Sequence, residues 1–401
     1  MVQRMIREIA ISVYLIFFKL IFTIFKFLPL GNKVTFTTTF GDNSKYVYEE
    51  MRRRNLPYNV IVLYKGGSRL YFEEYIEVKK VPLETLNVFH FFASIYHLAT
   101  SKFVFVDNYF GFLAATDFKK GVECIQLWHA SGAIKKFGLE DQTIKYRSEK
   151  SKARFIKVYK RFDKVVVGSD IMGDTFMRSF NLTHDHLLKT GIPRTDFYFD
   201  ERQHQKSENN FLDKNPEIKN RKRILYAPTY RDYELDNFEI KLDIELMSKE
   251  MADNYVLLLR LHPAIKNSLN YNLEFPGFVY DFSSQSYNIN ELLLLSDYLI
   301  TDYSSIPYEY SLLNKPIIFF SYDLEEYKQK KGLIEDYENN VPGPVVKKTQ
   351  DVVKIIKDEQ FDLEELKRYS NKWNKYSNGN SSENLVKYMI KKEFLYEKST
   401  P

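Results

Sequence analysis

Two histidines and a pair of adjacent serines carry the chemistry that can be read from this chain. His129 stands in Gln126-Leu127-Trp128-His129-Ala130-Ser131-Gly132-Ala133, directly after an apolar run, with small residues behind it that leave room for a ligand. An imidazole so placed can take a proton from an attacking hydroxyl. The plainer alternative is a ring bonded to backbone for structural reasons. His262 stands in Leu259-Arg260-Leu261-His262-Pro263, where strand alternation puts it on one face with Arg260. Arg and His together suit a phosphate, unless they only pair locally with carboxylates or backbone. Asp302-Tyr303-Ser304-Ser305 is a polar turn after a β-prone run and before Pro307. Ser304 or Ser305 can cap a helix, and Pro307 suits its first turn. Hydroxyls and free backbone N–H groups there could cradle a phosphate; an ordinary capped connection would look the same. Tyr226-Ala227-Pro228-Thr229-Tyr230-Arg231-Asp232 offers a further hydroxyl and guanidinium, Thr229 and Arg231. An acidic loop at 331–338 runs on to the rigid turn Pro342-Gly343-Pro344. No acidic cluster has the spacing of a Mg²⁺ site, so neither a metal nor another cofactor is expected.

Strand ends must present these residues. Short apolar, β-branched runs predict strands at 34–38, 59–64, 103–107, 122–127 and 165–168, with Asp107 at the end of one of them. Helical patterns lie between them at 46–54, 86–99 and 170–180. A second series follows, with strands at 224–227, 255–261, 279–281, 298–301 and 317–320 and helices at 243–251 and 289–295. Further helices close the chain at 350–357, 363–369 and 382–394. Residues 201–220 are polar and apolar-poor and read as a linker. Repeated βα units imply parallel sheets with helices on both faces, hence two doubly wound α/β domains facing a cleft. Their expected bounds are 31–205 and 206–401. Ligands of such sheets collect at the carboxyl ends of strands, where all the candidate residues fall.

Composition narrows the function classes. The chain has 401 residues, 44% hydrophobic and 28% charged, as in a core-forming protein of two domains. A net charge of +5 suits an anionic surface or a phosphate substrate and is too weak to argue for nucleic acid. One cysteine, Cys124, excludes an internal disulfide and a multi-Cys zinc site, and fits a reducing compartment. Residues 1–30 predict an amphipathic helix. Phe17, Phe18, Leu20, Ile21, Phe22 and Phe25 belong to its broad apolar face, and Glu8, Ser12, Lys19, Thr23 and Lys26 to its polar stripe. Mid-helix lysines disfavour a spanning segment, and no cleavage site follows. The expectation is a helix lying in the interface, with Arg4, Arg7 and the lysines at lipid head groups. A core or dimer helix is the alternative.

Taken in order, Trp128-His129-Ala130, Tyr226 through Asp232, Leu261-His262-Pro263, Ile300-Thr301-Asp302-Tyr303-Ser304-Ser305, Lys315-Pro316-Ile317, Tyr322-Asp323 and Pro342-Gly343-Pro344 resemble the CDP-glycerol glycerophosphotransferase family of teichoic acid synthesis. The resemblance implies a GT-B-like fold of two Rossmann-like domains, the first binding acceptor and the second CDP-glycerol. It implies peripheral attachment to the cytoplasmic face of the cell membrane. The reaction implied is attack of an acceptor hydroxyl on the glycerol-bearing phosphate, with CMP leaving. Polymerising members often read Trp-His-Gly-Thr-Pro at the first motif; here Trp128-His129-Ala130-Ser131-Gly132-Ala133 resembles the primase branch, which adds the first glycerol phosphate to an undecaprenyl-diphosphate-linked ManNAc-GlcNAc disaccharide. The implied roles are His129 as base on the acceptor hydroxyl and His262 at the diphosphate with Arg260 beside it. Ser304 and Ser305 would cradle the diphosphate, Asp302 would orient a histidine or bind a glycerol hydroxyl, and Thr229 and Arg231 would line the nucleotide side. A chain-extending transferase using glycerol or ribitol, a sugar-nucleotide glycosyltransferase of the same fold and a non-catalytic membrane-associated binder are the rival readings.

Overall fold

The structure is a computed structural model that describes residues 2–231, 239–262, 265, 270–283 and 287–399. Asp232 and Pro263, quoted in the motifs above, and the side chain of Arg4 lie outside the described residues. The chain divides into two compact units, one of Met1–Ala130, Phe137–Asp196 and Tyr376–Pro401, the other of Ser131–Lys136 and Phe197–Lys375.

The first unit runs α1 (Val2–Phe25), β1 (Lys33–Thr38), α2 (Asp42–Arg53), β2 (Asn59–Tyr64), β3 (Lys79–Pro82), α3 (Val88–Thr100), β4 (Phe103–Val106), β5 (Glu123–Gln126), α4 (Glu149–Tyr159), β6 (Lys164–Val166), α5 (Asp170–Phe180) and β7 (Leu187–Leu188). Its seven strands are all parallel, in the order β3-β2-β1-β4-β5-β6-β7. Every residue of β1 and β4 is buried, as expected of central strands covered on both faces.

The second unit continues with α6 (Glu201–Lys214), β8 (Lys222–Tyr226), α7 (Ile244–Met251), β9 (Tyr255–Leu259), α8 (Tyr271–Glu274), β10 (Val279–Asp281), α9 (Ile289–Leu295), β11 (Tyr298–Thr301), α10 (Ile306–Tyr310), β12 (Ile317–Phe320), α11 (Leu324–Lys331), α12 (Tyr337–Asn340), β13 (Val345–Val346), α13 (Thr349–Lys357) and α14 (Leu363–Trp373). Its parallel sheet is ordered β10-β9-β8-β11-β12-β13. Both sheets therefore reverse strand order once, between β1 and β4 in the first and between β8 and β11 in the second. Such reversals open the crevices where ligands of doubly wound folds bind.

Three sequence expectations change. Residues 201–220 are not an open linker. The Asp200 side chain caps α6 by accepting from Arg202 N and Gln203 N, and Phe211 is buried against Phe282 and Tyr287. One well-placed aromatic ring and a cap are enough to hold a helix that looks polar. The last helix, α15 (Ser381–Ser399), belongs to the first unit rather than to a 206–401 domain. Asp196 accepts from Ser381 N and Ser382 N, both at 2.8 Å, while Leu385, Val386 and Met389 enter the core beside β1 and β2. The third change concerns α1. Phe18 and Phe22, expected among lipid-facing rings, are buried: Phe18 stacks on Phe112 at 5.2 Å and Phe22 meets Phe118 edge-on at 5.6 Å. Lys26 pairs with Asp117 at 2.8 Å and Glu8 with Arg154 at 3.2 Å, so these two members of the polar stripe face the unit, while Lys19 and Thr23 stay exposed. The side left exposed carries Ile9, Val13, Ile16, Leu20 and Ile24.

The small residues after His129 serve packing. Gly132 lies against the ring of Tyr308, where an added Cβ would come within 2.4 Å, and Ser131 Oγ donates to Glu309 Oε1 at 2.8 Å. Gly132→Ala is expected to lower stability by about 1–3 kcal/mol through overpacking, read as a reduced thermal midpoint. An unchanged midpoint would show that the ring yields freely.

Candidate active site

In the first unit the crevice between β1 and β4 is occupied by the protein's own carboxylate. Asp107, at the end of β4, accepts from Thr39 N at 2.9 Å, Phe40 N at 2.9 Å and Gly41 N at 2.8 Å, all in the turn after β1. Gly41 has φ +89°, and a Cβ there would press on Tyr71 and Ser68, so the turn requires glycine. Burial pushes the Asp107 carboxyl up to about 7 against the pull of those three N–H groups. The turn held in this way carries Phe40, whose ring stacks on His129 at 4.2 Å.

His129 follows a residue in an unusual conformation. Trp128 has φ +57°, left-handed for a bulky residue. Its N–H donates to Gln126 Oε1 at 2.8 Å, and its carbonyl accepts from Asn43 Nδ2 at 3.0 Å. Asn43 Oδ1 in turn accepts from Arg194 N at 3.0 Å, and the Arg194 guanidinium pairs with Asp42 at 2.6 Å. The strained turn is thus held at both ends. His129 Nδ1 lies 3.2 Å from the carbonyl oxygen of Asp107. A carbonyl can only accept, so Nδ1 carries the proton and Nε2 keeps its lone pair. Burial, aided by the Arg194 charge, lowers the His129 pKa to about 4, which leaves the ring neutral at pH 7. A neutral imidazole with a fixed tautomer and a free Nε2 is competent as a proton acceptor.

In the second unit Asp302, at the end of β11, plays the part of Asp107. Its Oδ1 accepts from Thr229 N at 2.8 Å, in the segment after β8, and from Tyr303 N at 2.7 Å. Its Oδ2 accepts from Arg231 at 3.0 Å, and Arg231 makes a two-pronged bond to Asp323 at 2.9 Å on each arm. The Arg231 side chain is 1% exposed and lies over the rings of Tyr303, Tyr322 and Tyr327. Burial opposes its charge, but bonding to Asp323 and the charges of Asp302 and Asp323 raise its pKa above the ordinary arginine value.

Around this pinned crevice lie further polar and cationic groups. His262 is exposed, with its ring 4.2 Å from that of Tyr230. Burial of part of the ring and the charges of Lys135 and Arg260 lower its pKa, which places two cations close to it. Arg260 donates to the carbonyls of Phe282 and Ser283. Lys135 lies 5.3 Å over the ring of Tyr327. Thr229 Oγ1 is buried without a hydrogen-bond partner. Ser304 and Ser305 are half-buried at the start of α10; Ser304 Oγ accepts weakly from Ile306 N at 3.3 Å, while Ser305 makes no side-chain cap. Among the described residues no group of three or more His, Cys, Asp or Glu is placed to hold a metal ion.

Comparison with known proteins decides the family. The family described as CDP-Glycerol:Poly(glycerophosphate) glycerophosphotransferase matches residues 20–391. The chain belongs to this family. It is 36% identical to a teichoic acid glycerol-phosphate primase of Bacillus subtilis (strain 168), over 96% of this chain and 98% of the relative. It is 32% identical to a teichoic acid poly(ribitol-phosphate) polymerase of Bacillus spizizenii, over 97% of this chain and 60% of the relative. The wall teichoic acid polymerase TagF shares the fold, with a TM-score of 0.79 at 23% identity over 99% of both chains. The chain is thus a transferase of GT-B-like fold, built from two parallel-sheet α/β domains with an apolar N-terminal helix.

For this glycerophosphotransferase the structure sorts the residues named from sequence. His129 stands in the first unit. His262, Arg260, Thr229, Ser304 and Ser305 stand at the carboxyl edge of the second sheet. Arg231 and Asp302, expected on the nucleotide side and at a histidine or glycerol hydroxyl, are instead engaged with each other, Thr229 and Asp323. Sequence reasoning gave no site role to Asn43, Asp107, Asp323 or Lys135, although it placed Asp107 at a strand end and Asp323 in a family motif. The signal for Asp107 was its place at the end of a strand, which it shares with Asp302.

Arg231→Met removes one cation from between two buried carboxylates and is expected to cost about 3–5 kcal/mol, measured by denaturant unfolding. A loss below about 1 kcal/mol would show that the network is dispensable. The lowered His129 pKa has a signed consequence. Its neutral form is favoured on folding, so its contribution to stability is fully present above about 6.5 and is lost as pH falls through about 4. The pH profile of kcat/KM should accordingly show no limb near 6.5 from this group, but one near 4. A limb near 6.5 that disappears in His129→Gln would contradict the assignment.

Proposed function

We propose that the chain transfers glycerol phosphate from CDP-glycerol to an undecaprenyl-diphosphate-linked ManNAc-GlcNAc acceptor, releasing CMP, in the priming step of teichoic acid synthesis. The observation that carries this reading is His129, with its proton fixed on Nδ1 and Nε2 free, in a chain 36% identical over nearly its whole length to a glycerol-phosphate primase. In the proposed step the acceptor hydroxyl oxygen bonds to the glycerol-bearing phosphorus. The bond from that phosphorus to the CMP oxygen breaks, and the hydroxyl proton passes to His129 Nε2. Phosphoryl transfer asks mainly for placement and charge neutralisation, with little covalent work for the protein.

The first unit would take the acceptor and the second the donor. His262, with Arg260 and Lys135 near it, would meet the diphosphate, and Ser304, Ser305 and the unpartnered Thr229 hydroxyl would complete its contacts. Arg231 and Asp302 would act only by holding Thr229 and Tyr303 in place. Membrane association fits the acceptor. The exposed stripe of α1 would lie in the cytoplasmic leaflet, with exposed Arg7 and Lys19 at head groups. Residues Met5–Phe25 are long and apolar enough to cross a bilayer by length and composition. Packing of Phe18 and Phe22 on the unit, with ion pairs at Glu8 and Lys26, favours a helix lying on the surface. Chain extension is the second reading, because polymerase relatives match across nearly all of this chain.

Purified protein given CDP-glycerol and a short-lipid disaccharide acceptor should yield one glycerol phosphate adduct and one CMP per acceptor by mass spectrometry. A ladder of adducts would transfer the assignment to a polymerase, and turnover of a UDP-sugar instead would overturn it. His129→Ala should lower turnover by about 10²–10⁴-fold with donor affinity retained. His262→Ala should weaken both turnover and donor binding.

A further inference from the structure

The exposed apolar surface of the first unit does not end with α1. Leu86, just before α3, is fully exposed, and Val88 and Phe89 in its first turn are 62% and 85% exposed. Leaving such residues in water is costly when they cluster. They are joined to α1 by a run of ring contacts. Phe92 meets Phe17 edge-on at 6.3 Å, Phe91 stacks on Phe17 at 5.7 Å, and Tyr96 meets Phe25 at 5.6 Å. Phe89, Phe92 and Tyr96 share one helical face at spacings of three and four. The contacts rise in step along both helices, so α3 runs beside α1 in the same direction.

Charge completes the picture. α3 carries no carboxylate; Glu84, which precedes Leu86 and lies near Tyr14 of α1, is paired with Lys65 at 2.6 Å, and the one carboxylate of α1, Glu8, is paired with Arg154. Arg7 and Lys19 of α1 are exposed. The surface is therefore apolar with a basic fringe, the composition that suits an anionic bilayer rather than a neutral or basic protein face.

We propose that the start of α3, Leu86 with Val88 and Phe89, is a second membrane-inserting element, which together with α1 forms a two-helix platform for an anionic bilayer. This rests on the reading of α1 as a membrane-docking helix, and the test separates the two. Two helices side by side fix the roll of the unit on the membrane, which a single helix leaves free. The first unit would then present its sheet at one defined angle to a lipid-linked acceptor.

Cys124 is the one cysteine of the chain and is buried, so single added cysteines can be labelled selectively in the full-length protein. An environment-sensitive dye such as NBD would be placed through Phe89→Cys on α3, Ile16→Cys on α1, and Leu273→Cys on the second unit as a control. With vesicles of equal parts phosphatidylglycerol and phosphatidylcholine, the labels at positions 89 and 16 should brighten several-fold and shift to the blue, and the control should not. A response at 16 without one at 89 overturns the α3 proposal and leaves the α1 reading standing. No response at either position overturns both. A response at 89 that grows with protein concentration in the absence of lipid assigns the face to a second copy of the chain, which also overturns the proposal. Val88→Ser with Phe89→Ser should weaken vesicle partitioning about tenfold or more while leaving the thermal midpoint unchanged, because both side chains are exposed. Unchanged partitioning would refute the contribution of α3.

Discussion

Each half of this protein depends on one buried carboxylate. A doubly wound sheet reverses strand order once, and there the loops after two neighbouring strands diverge and leave a crevice. In the first unit Asp107 reaches across that gap to three backbone N–H groups after β1. In the second, Asp302 reaches across the matching gap to Thr229 N and Arg231 after β8. The two residues hold equivalent places, each at the end of the strand that pairs beyond the reversal. A carboxylate desolvated in this way is costly unless its lone pairs are filled, and here backbone donors and one arginine fill them. The loops after β1 and β8 are tied where they would otherwise be free, and His129 and Thr229 are placed through these two carboxylate residues.

The two crevices solve the same problem with different charge. Asp107 has no cationic partner within its loop, and its burial raises its pKa. The neighbouring carbonyl of the same residue orients His129, so one residue sets both the turn under Phe40 and the tautomer of the imidazole. Asp302 instead shares Arg231 with Asp323, and that arginine is enclosed by three tyrosine rings. The second unit thus buries its cation as scaffold and leaves His262, Arg260 and Lys135 nearer the surface.

Much of this was legible in the sequence because strands and strand ends are local facts. The runs at β1, β2, β9, β11 and β12 are short, apolar and β-branched, and the polar residues that follow them had to lie at the sheet edge. Residue roles were harder, because a role depends on partners distant in sequence. Arg231 and Ser304 look alike as polar residues after strands. Only the fold shows that Asp323, 92 positions away, claims the first, while the second stays half-open. Gly132 read as space for a ligand because a missing side chain cannot say what fills its place; Tyr308 does. The reading of 201–220 as a linker failed because average polarity conceals a single buried ring, Phe211. The C-terminal helix could not be assigned to the first unit from pattern alone, since its apolar stripe fits any core.

The N-terminal helix shows why sequence left two readings open. A helix that lies on a membrane needs one apolar face, and a helix that packs on a domain needs another. α1 has both. Phe18 and Phe22 fill the unit's side, and the row from Ile9 to Ile24 is left outward. Its few polar residues are confined to the narrow borders, where Glu8 and Lys26 find partners on the unit. A helix used on two sides must be apolar nearly all round, so it resembles a spanning segment in composition. What distinguishes it is attachment. Ring stacking and two ion pairs bind its length to a folded unit, and a helix so fastened can enter a bilayer only as far as that unit's surface allows.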